Sequence, residues 1–480
     1  MITNKKNIST VDHFINGEDC PPDSGQYFDD RNPIDDSVYA RAAQGNGKDM
    51  DKAAKAAHEA FATYRHSLIN EREAWLCEAA SILQRQKQEF IDILIDEVGS
   101  PVGKANFEVG LSIDLLRAAA GMARQVAGKT LPSDVPGRFS MSTREPIGVV
   151  AAITPFNVPL IKGIRLTANP LALGNTVVHL CSEEAPVLAR RIARLYQDAG
   201  LPPGAYNLVT GLGFEVGDSL TTHPLVRSVT FTGSTRVGRH IQKLCAEHSK
   251  RITLELGGKN PMVVLKDADL DKAVEGAIHG IFIFQGQICM AASRMYVERA
   301  VFDEFIEKFS GAAQGLGMGD LREPSTLLGP IISERQRERI RYHIRDAVEK
   351  GATLVCGGEW EANRCKPTIL TDVTPSMTVC KEETFGPVTS VYPIDSFEEA
   401  LDLANDSNYG LSASIYTSNI DNAMSFARNV ESGMVHINGA TLQDEPHVPF
   451  GGVGDSGWGR EGTEEDIAAM TEYKWITVQL

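Results

Sequence analysis

Of the eight cysteines in the 480-residue chain (Cys20, Cys77, Cys181, Cys245, Cys289, Cys356, Cys365 and Cys380), no two form a C-x-x-C pair, and no histidines stand near them at zinc-ligand spacing. Their ordinary reading is as reduced, mostly buried thiols of a cytoplasmic protein. Cys289 stands apart because it closes the loop Gln285-Gly-Gln-Ile-Cys289. A thiolate is a strong nucleophile and yields thioesters that water can cleave. The loop holds no charge that would lower a thiol pKa, so activation must come from elsewhere, such as the positive end of a following helix or the charge of a bound cofactor. Cys289 follows Glu255 by 34 residues. Glu255 ends an apolar run just before Gly257-Gly258, where α/β sheets place functional groups. Asn157, after Pro155-Phe156, reads on its own as a turn residue. In Phe231-Thr-Gly-Ser-Thr-Arg-Val-Gly238 the glycines at 233 and 238 let backbone N–H groups and a helix N-terminus face a pyrophosphate. Gly211-Leu-Gly-Phe-Glu-Val-Gly217 imitates a dinucleotide fingerprint more closely, and no segment has the Gly-Lys-Ser/Thr ending of a P-loop.

Five segments in order carry a resemblance: Thr154-Pro-Phe-Asn157, Leu254-Glu-Leu-Gly-Gly-Lys259, Gly286-Gln-Ile-Cys289, Glu382-Glu-Thr-Phe-Gly-Pro387 and Pro449-Phe-Gly-Gly-Val-Gly454. Together they resemble the aldehyde dehydrogenase superfamily from about residue 12 to the end. The resemblance implies oxidation of an aldehyde to its acid with NAD or NADP, through a thiohemiacetal and a thioester on Cys289. It makes the Asn157 amide, with the backbone N–H of Cys289, the oxyanion donor. It makes Glu255 the base that activates water against the thioester, which implies a hydrolytic enzyme rather than a coenzyme-A-acylating one. For the cofactor it implies Thr154, Pro155, Phe156, Phe231, Gly233, Ser234, Gly238 and Leu256, with Gly213 on the adenine side. Glu383 and Phe385 match the residues that hold the nicotinamide ribose and flank its ring. No metal site is expected.

Two departures bear on selectivity. Where the family has Lys-Pro-Ser-Glu, with the lysine on the adenosine ribose, this chain has Leu180-Cys-Ser-Glu183. The lost ammonium implies weaker cofactor binding. Glu183 would accept from a ribose 2′-hydroxyl and repel a 2′-phosphate, favouring NAD over NADP. Arg165-Leu166 stands where many members carry Trp-Lys. With Asn157-Val-Pro-Leu-Ile-Lys-Gly-Ile-Arg165 and Asp444-Glu-Pro-His-Val-Pro-Phe450, the chain is similar to the branch acting on vanillin, benzaldehyde and salicylaldehyde. Arg165 falls about two helical turns after Asn157 on the same face, where it would meet a phenolic or acidic ring substituent; the plain alternative is an arginine paired with a carboxylate. An aliphatic aldehyde or semialdehyde is the competing substrate class, and a silent binding protein on the same fold is the competing kind of function.

Elements that could position these residues are legible. Ile147–Thr154, Asn175–Leu180, Tyr206–Val209, Val226–Phe231 and Arg251–Leu256 read as buried strands, separated by helices at Leu160–Leu173, Glu183–Ala199 and Gly233–Glu247. This alternation predicts a doubly wound α/β sheet. A second alternation begins at Pro261–Leu265 and continues through Val301–Leu316, Ser333–Lys350 and Ser412–Tyr416. Ahead of both, Asp51–Tyr64 and Glu71–Val98 read as helices, followed by a polar stretch containing glycine and proline. The alternating segment Tyr473–Leu480 has no partner nearby in sequence and would complete another sheet, in this subunit or a neighbour. The fold expected is an aldehyde dehydrogenase-like α/β subunit. It has a Rossmann-like dinucleotide-binding domain (1–124 and 147–257), an α/β catalytic domain (258–449) and a small β oligomerisation element (125–146 and 469–480). A homodimer or homotetramer follows by resemblance. A net charge of −16 argues against nucleic-acid partners. The amino-terminal stretch lacks the apolar core of a signal peptide, and no 18-residue uncharged apolar run occurs, so neither secretion nor membrane insertion is expected.

Overall fold

The computed structural model describes residues 8–480; the first seven residues of the stretch read for a leader lie outside it. Five apolar strands form the parallel core of the first sheet, in the order Arg251–Glu255, Val226–Thr232, Val149–Ile153, Thr176–Leu180, Tyr206–Val209. They are buried on both faces because helices cover both sides, which is why they read as continuous apolar runs rather than alternating ones. Antiparallel edges close the sheet: Gly457–Trp458 beside Arg251–Glu255, and His13–Ile15 beside Tyr206–Val209. Strand order reverses between Val149–Ile153 and Val226–Thr232, so the loops that follow these two strands flank a topological switch point, the usual ligand crevice of such sheets. Those loops are Thr154–Asn157 and Gly233–Ser234.

The second sheet runs Thr353–Cys356, Thr368–Thr371, Val388–Ile394, Arg294–Glu298, Pro261–Val264, Ser412–Tyr416, Met434–Ile437, with only its first strand antiparallel. The chain crosses from one sheet to the other at Leu256–Asn260. Gly258 there is obligatory: a Cβ would come within 2.3 Å of the Cys289 carbonyl oxygen.

Two expectations need correction. Glu71–Val98 is not one helix but two, Ile69–Arg85 and Lys87–Val98, parted at Gln86, whose φ of −105° and ψ of 17° leave the helical region; the second ends on Gly99 in the left-handed conformation. The stretch after it, read as polar with glycine and proline, contains the helix Val102–Met122. Gly103, Gly110 and Gly121 and the absence of a clean apolar stripe hid it, because this helix is buried on most of its circumference. Thr471–Gln479 finds its partner within this chain, pairing antiparallel with Arg138–Pro146, which takes Lys129–Leu131 on its other edge. Among the described residues no helix is long and apolar enough to cross a membrane.

Candidate active site

Cys289 lies at the end of a tight turn. Phe284, Gln285 and Gly286 all have positive φ (49°, 56° and 66°), so the chain reverses sharply after the helix Leu270–Phe282. A left-handed glutamine and phenylalanine in succession are strained and persist only where their surroundings hold them. Just after the turn Asn260 anchors the chain: its Nδ2 donates to the carbonyls of Cys289 (2.8 Å) and Ala291 (2.9 Å) while its Oδ1 accepts from Ser412 N. The residues after Cys289 lead into the strand Arg294–Glu298, not into a helix, so no following helix supplies positive charge to the thiol.

Charge comes instead from the helix Pro159–Ala172, every residue of which is buried. Its Lys162 places Nζ 3.7 Å from Glu255 Oε2 and 2.7 Å from Glu461 Oε2. Burial works against the Lys162 charge, but the Glu461 and Glu255 carboxylates hold its pKa above the ordinary value. Glu255 ends its strand 1% exposed. Burial raises its pKa to about 7 against the pull of Lys162, and Glu461 adds to the rise. Its two oxygens are closed into no hydrogen bond of normal geometry, and the Cys289 thiol is their neighbour. Burial also pushes that thiol well above its usual range; the Glu255 carboxylate adds to the effect, and Lys162 opposes it. A half-buried thiol and a buried carboxyl therefore face each other beside one ammonium, an arrangement in which a proton can pass between them.

Asn157 is buried at the end of the Thr154–Asn157 loop. Thr154 beneath it is tied through its hydroxyl to His179 Nε2 (2.8 Å), whose Nδ1 meets Tyr206 OH (2.7 Å). Phe156 stands edge-on to Phe385, with ring centroids 5.9 Å apart. Glu383 is half-buried, desolvation raises its pKa, and it accepts from Gly258 N at 3.0 Å. The turn it contacts has no room for a side chain, since a Cβ on Gly257 would meet the Glu383 carboxylate at 2.6 Å. Across the switch point Ser234 caps the helix Thr235–Glu247 without a side-chain bond, and Gly238 is packed so that a Cβ would strike Leu256 at 2.3 Å. Helix N-terminus, bare backbone and the Phe156–Phe385 slot thus form a cradle suited to a dinucleotide. Gly213 opens the helix Gly213–Thr221 with open space where a Cβ would be, Phe231 is buried in the adjoining strand, and Pro155 sits in the loop before Asn157. Leu180 is fully within the core, and Glu183 lies half-buried at the turn beyond it.

Arg165 is 2% exposed, paired with Asp444 (2.8 Å) and near Glu461 (3.6 Å); its Nε and Nη1 have no hydrogen-bond partner. The rings and chains around it form the apolar wall on this side of the thiol: Phe450 lies 4.6 Å from Lys162 Nζ and 5.3 Å from Arg165 Cζ, packed with Phe284, Ile288, Met290 and Leu411. Sequence reasoning missed Lys162, Glu461 and Asn260. The signal for Lys162 was present, as one of two charges, with Arg165, in a mostly apolar helix; Glu461 carried none, since its position is set by a loop returning from the far end of the chain.

The chain matches the aldehyde dehydrogenase family over residues 20–476. It belongs to that family. Among relatives, the vanillin dehydrogenase of Pseudomonas fluorescens is 42% identical, the match covering 97% of each chain. A crystal structure of a salicylaldehyde dehydrogenase from Pseudomonas putida G7 complexed with salicylaldehyde superposes with a TM-score of 0.96 at 38% identity, covering 98% of both chains. The betaine aldehyde dehydrogenase of Staphylococcus aureus, solved in complex with NAD, has a TM-score of 0.95 at 31% identity, covering 99% of this chain and 96% of that one. This aldehyde dehydrogenase is an oxidoreductase that uses NAD or NADP. The mixed α/β subunit expected from the sequence is the fold observed.

Proposed function

We propose that this enzyme oxidises aromatic aldehydes of the vanillin and benzaldehyde class to carboxylic acids, with Cys289 as nucleophile, Asn157 as oxyanion donor and Glu255 as hydrolytic base. The observation that carries the reading is the buried Glu255 carboxyl facing the Cys289 thiol beside an apolar wall of Phe284, Ile288, Met290, Leu411 and Phe450. Glu255 takes the thiol proton as the sulfur adds to the carbonyl, and the Asn157 amide steadies the resulting oxyanion. When bound, the nicotinamide supplies the hydride acceptor. Once that proton has passed from Glu255 to solvent, the carboxylate draws a proton from water as the water attacks the thioester; the C–S bond breaks, the acid leaves, and the proton passes from Glu255 back to the Cys289 sulfur. The Glu383 carboxylate and the Phe156–Phe385 slot would hold the nicotinamide end of the cofactor, and Glu183 the adenosine ribose, favouring NAD.

Arg165 supports the aromatic preference. Two of its buried nitrogens, Nε and Nη1, have no hydrogen-bond partner, Nη1 lying only within ion-pair reach of Glu461, and a phenolate or ring hydroxyl would satisfy them. The experiment is NADH formation with vanillin, benzaldehyde and succinic semialdehyde, each with NAD and with NADP. Preferential turnover of the two aromatic aldehydes is expected, and a semialdehyde preference refutes the reading. Arg165→Met should lower kcat/KM for vanillin more than for benzaldehyde, by roughly tenfold, the scale of one lost charge-assisted hydrogen bond. We further infer a homodimer or homotetramer in the cytoplasm, supported by the exposed aromatic residues of the last strand and by eight cysteines, none of them disulfide-bonded.

A further inference from the structure

The helix Val102–Met122 sends one buried cation to the active site from behind. Lys104 Nζ donates to the backbone carbonyl of Asn157 (2.8 Å) and to Ser100 Oγ (3.2 Å), and it is ion-paired with Glu108. The same ammonium lies 3.9 Å from the centroid of the Phe284 ring. Glu108 in turn accepts from Leu160 N at 2.8 Å and from Ile161 N at 3.4 Å, the first turn of the helix that begins just after Asn157. Two segments far apart in sequence thus meet on one side chain: the loop carrying the oxyanion asparagine and the left-handed turn that presents Cys289.

We propose that Lys104 is a positioning residue for the oxyanion site, its ammonium fixing the separation between the Asn157 loop and the Phe284–Gly286 turn. Donation to the Asn157 carbonyl sets the direction of that residue's backbone and hence of its amide. The cation over the Phe284 ring stabilises a turn whose φ values would otherwise relax. Burial pulls the Lys104 pKa below its ordinary value, and Glu108 restores part of the loss. Solvating this lysine in an outward rotamer would leave Glu108 as a buried unpaired carboxylate, so the pair holds the ammonium inward.

The inference rests on the proposed role of Asn157, and its test separates the two. The NADH burst, which reports acylation and hydride transfer, is measured with benzaldehyde and repeated with acetaldehyde, so that an error in substrate class is not taken for an error here. Lys104→Met is expected to slow the burst about tenfold or more, as sub-ångström misplacement of a catalytic group does, with NAD affinity by fluorescence titration unchanged within about twofold. In an Asn157→Ala background the same change should slow it no further, because the residue it acts through is gone. A parental burst rate in Lys104→Met, or an undiminished effect in the Asn157→Ala background, overturns the proposal. A parental burst in Asn157→Ala alone overturns the oxyanion assignment instead. Should Lys104→Met fail to fold, Phe284→Leu decides in its place, since it keeps every Lys104 hydrogen bond and removes only the ring. A slowed burst that Asn157→Ala absorbs supports the proposal, and a parental rate overturns it.

Discussion

Glu255 must be a carboxylate to take a proton from water, yet it is held where a carboxylate is costly. Burial raises its pKa to about 7, with Glu461 and Glu383 adding to the rise while Lys162 and the Cys289 thiol oppose it. The active form is the deprotonated one, so hydrolysis of the thioester should rise with pH through about 7 and level off above it. Removing Lys162 takes away the cation that opposes the shift. Lys162→Met should therefore move the midpoint to higher pH by at least about one unit, equivalent to about 1.4 kcal/mol, whereas Lys162→Arg keeps the charge and should stay near the parent. The check is the pH profile of steady-state turnover, with the burst measured separately. A profile unmoved in Lys162→Met refutes the electrostatic role. Glu255→Gln should slow the NADH burst, since the thiol loses its proton acceptor, and then stall after one turnover; a parental steady state would rule Glu255 out as the base.

At the scale of elements, the site is built from loops that close on strand ends, and their glycines have specific roles. Gly258 sits where the chain crosses between the sheets, and a methyl group there would displace the carbonyl of the nucleophile itself. That obstacle is main chain, which cannot rotate aside. Gly258→Ala should fold with NAD affinity largely kept yet lose roughly a hundredfold in kcat/KM, the effect of a displacement near 1 Å. Parental kcat/KM in a folded Gly258→Ala protein would show that the crossing does not set the position of Cys289. In the first sheet the strands were legible as buried apolar runs and the helices between them as amphipathic segments of helical period. Val102–Met122 was not legible because its buried face is broad and its exposed stripe, Gly103, Asn106, Phe107, Gly110, Asp114 and Arg117, includes two glycines and a phenylalanine. Lys104 and Glu108 look from sequence like a solvated i, i+4 pair, and only tertiary packing turns them inward. Cys289, Glu255 and Asn157 could be singled out by motif, but the source of charge beside the thiol could not. Lys162 reaches the site from another helix, and the partner that holds it, Glu461, arrives from nearly 300 residues away.

On the scale of the whole molecule, the last strand poses the remaining question. Thr471–Gln479 lies across Arg138–Pro146 in unbroken antiparallel register, so its backbone is satisfied on that side within the subunit. Its side chains are not: Trp475 is 67% exposed and Tyr473 55%, with Phe139 and Val478 also exposed. Trp475 keeps its indole N–H on Ser140 Oγ at 2.8 Å, which restrains the exposed ring. An ordered aromatic surface of this kind costs free energy in water at about 25 cal/mol per Å², and a second copy of the chain can cover it. The net charge of −16 opposes association, but only beyond the Debye length of roughly 8 Å does salt screen it away, so the contact must be apolar to hold. The parent protein should therefore run as a dimer or tetramer in light scattering, with little change on raising salt. Replacing Tyr473 and Trp475 together by Glu puts like charges on both sides of any two-fold contact and should shift the population to monomer while leaving the Cys289 site intact. A parent that is monomeric at micromolar concentration, or a double variant that stays fully assembled, would move the interface away from this strand.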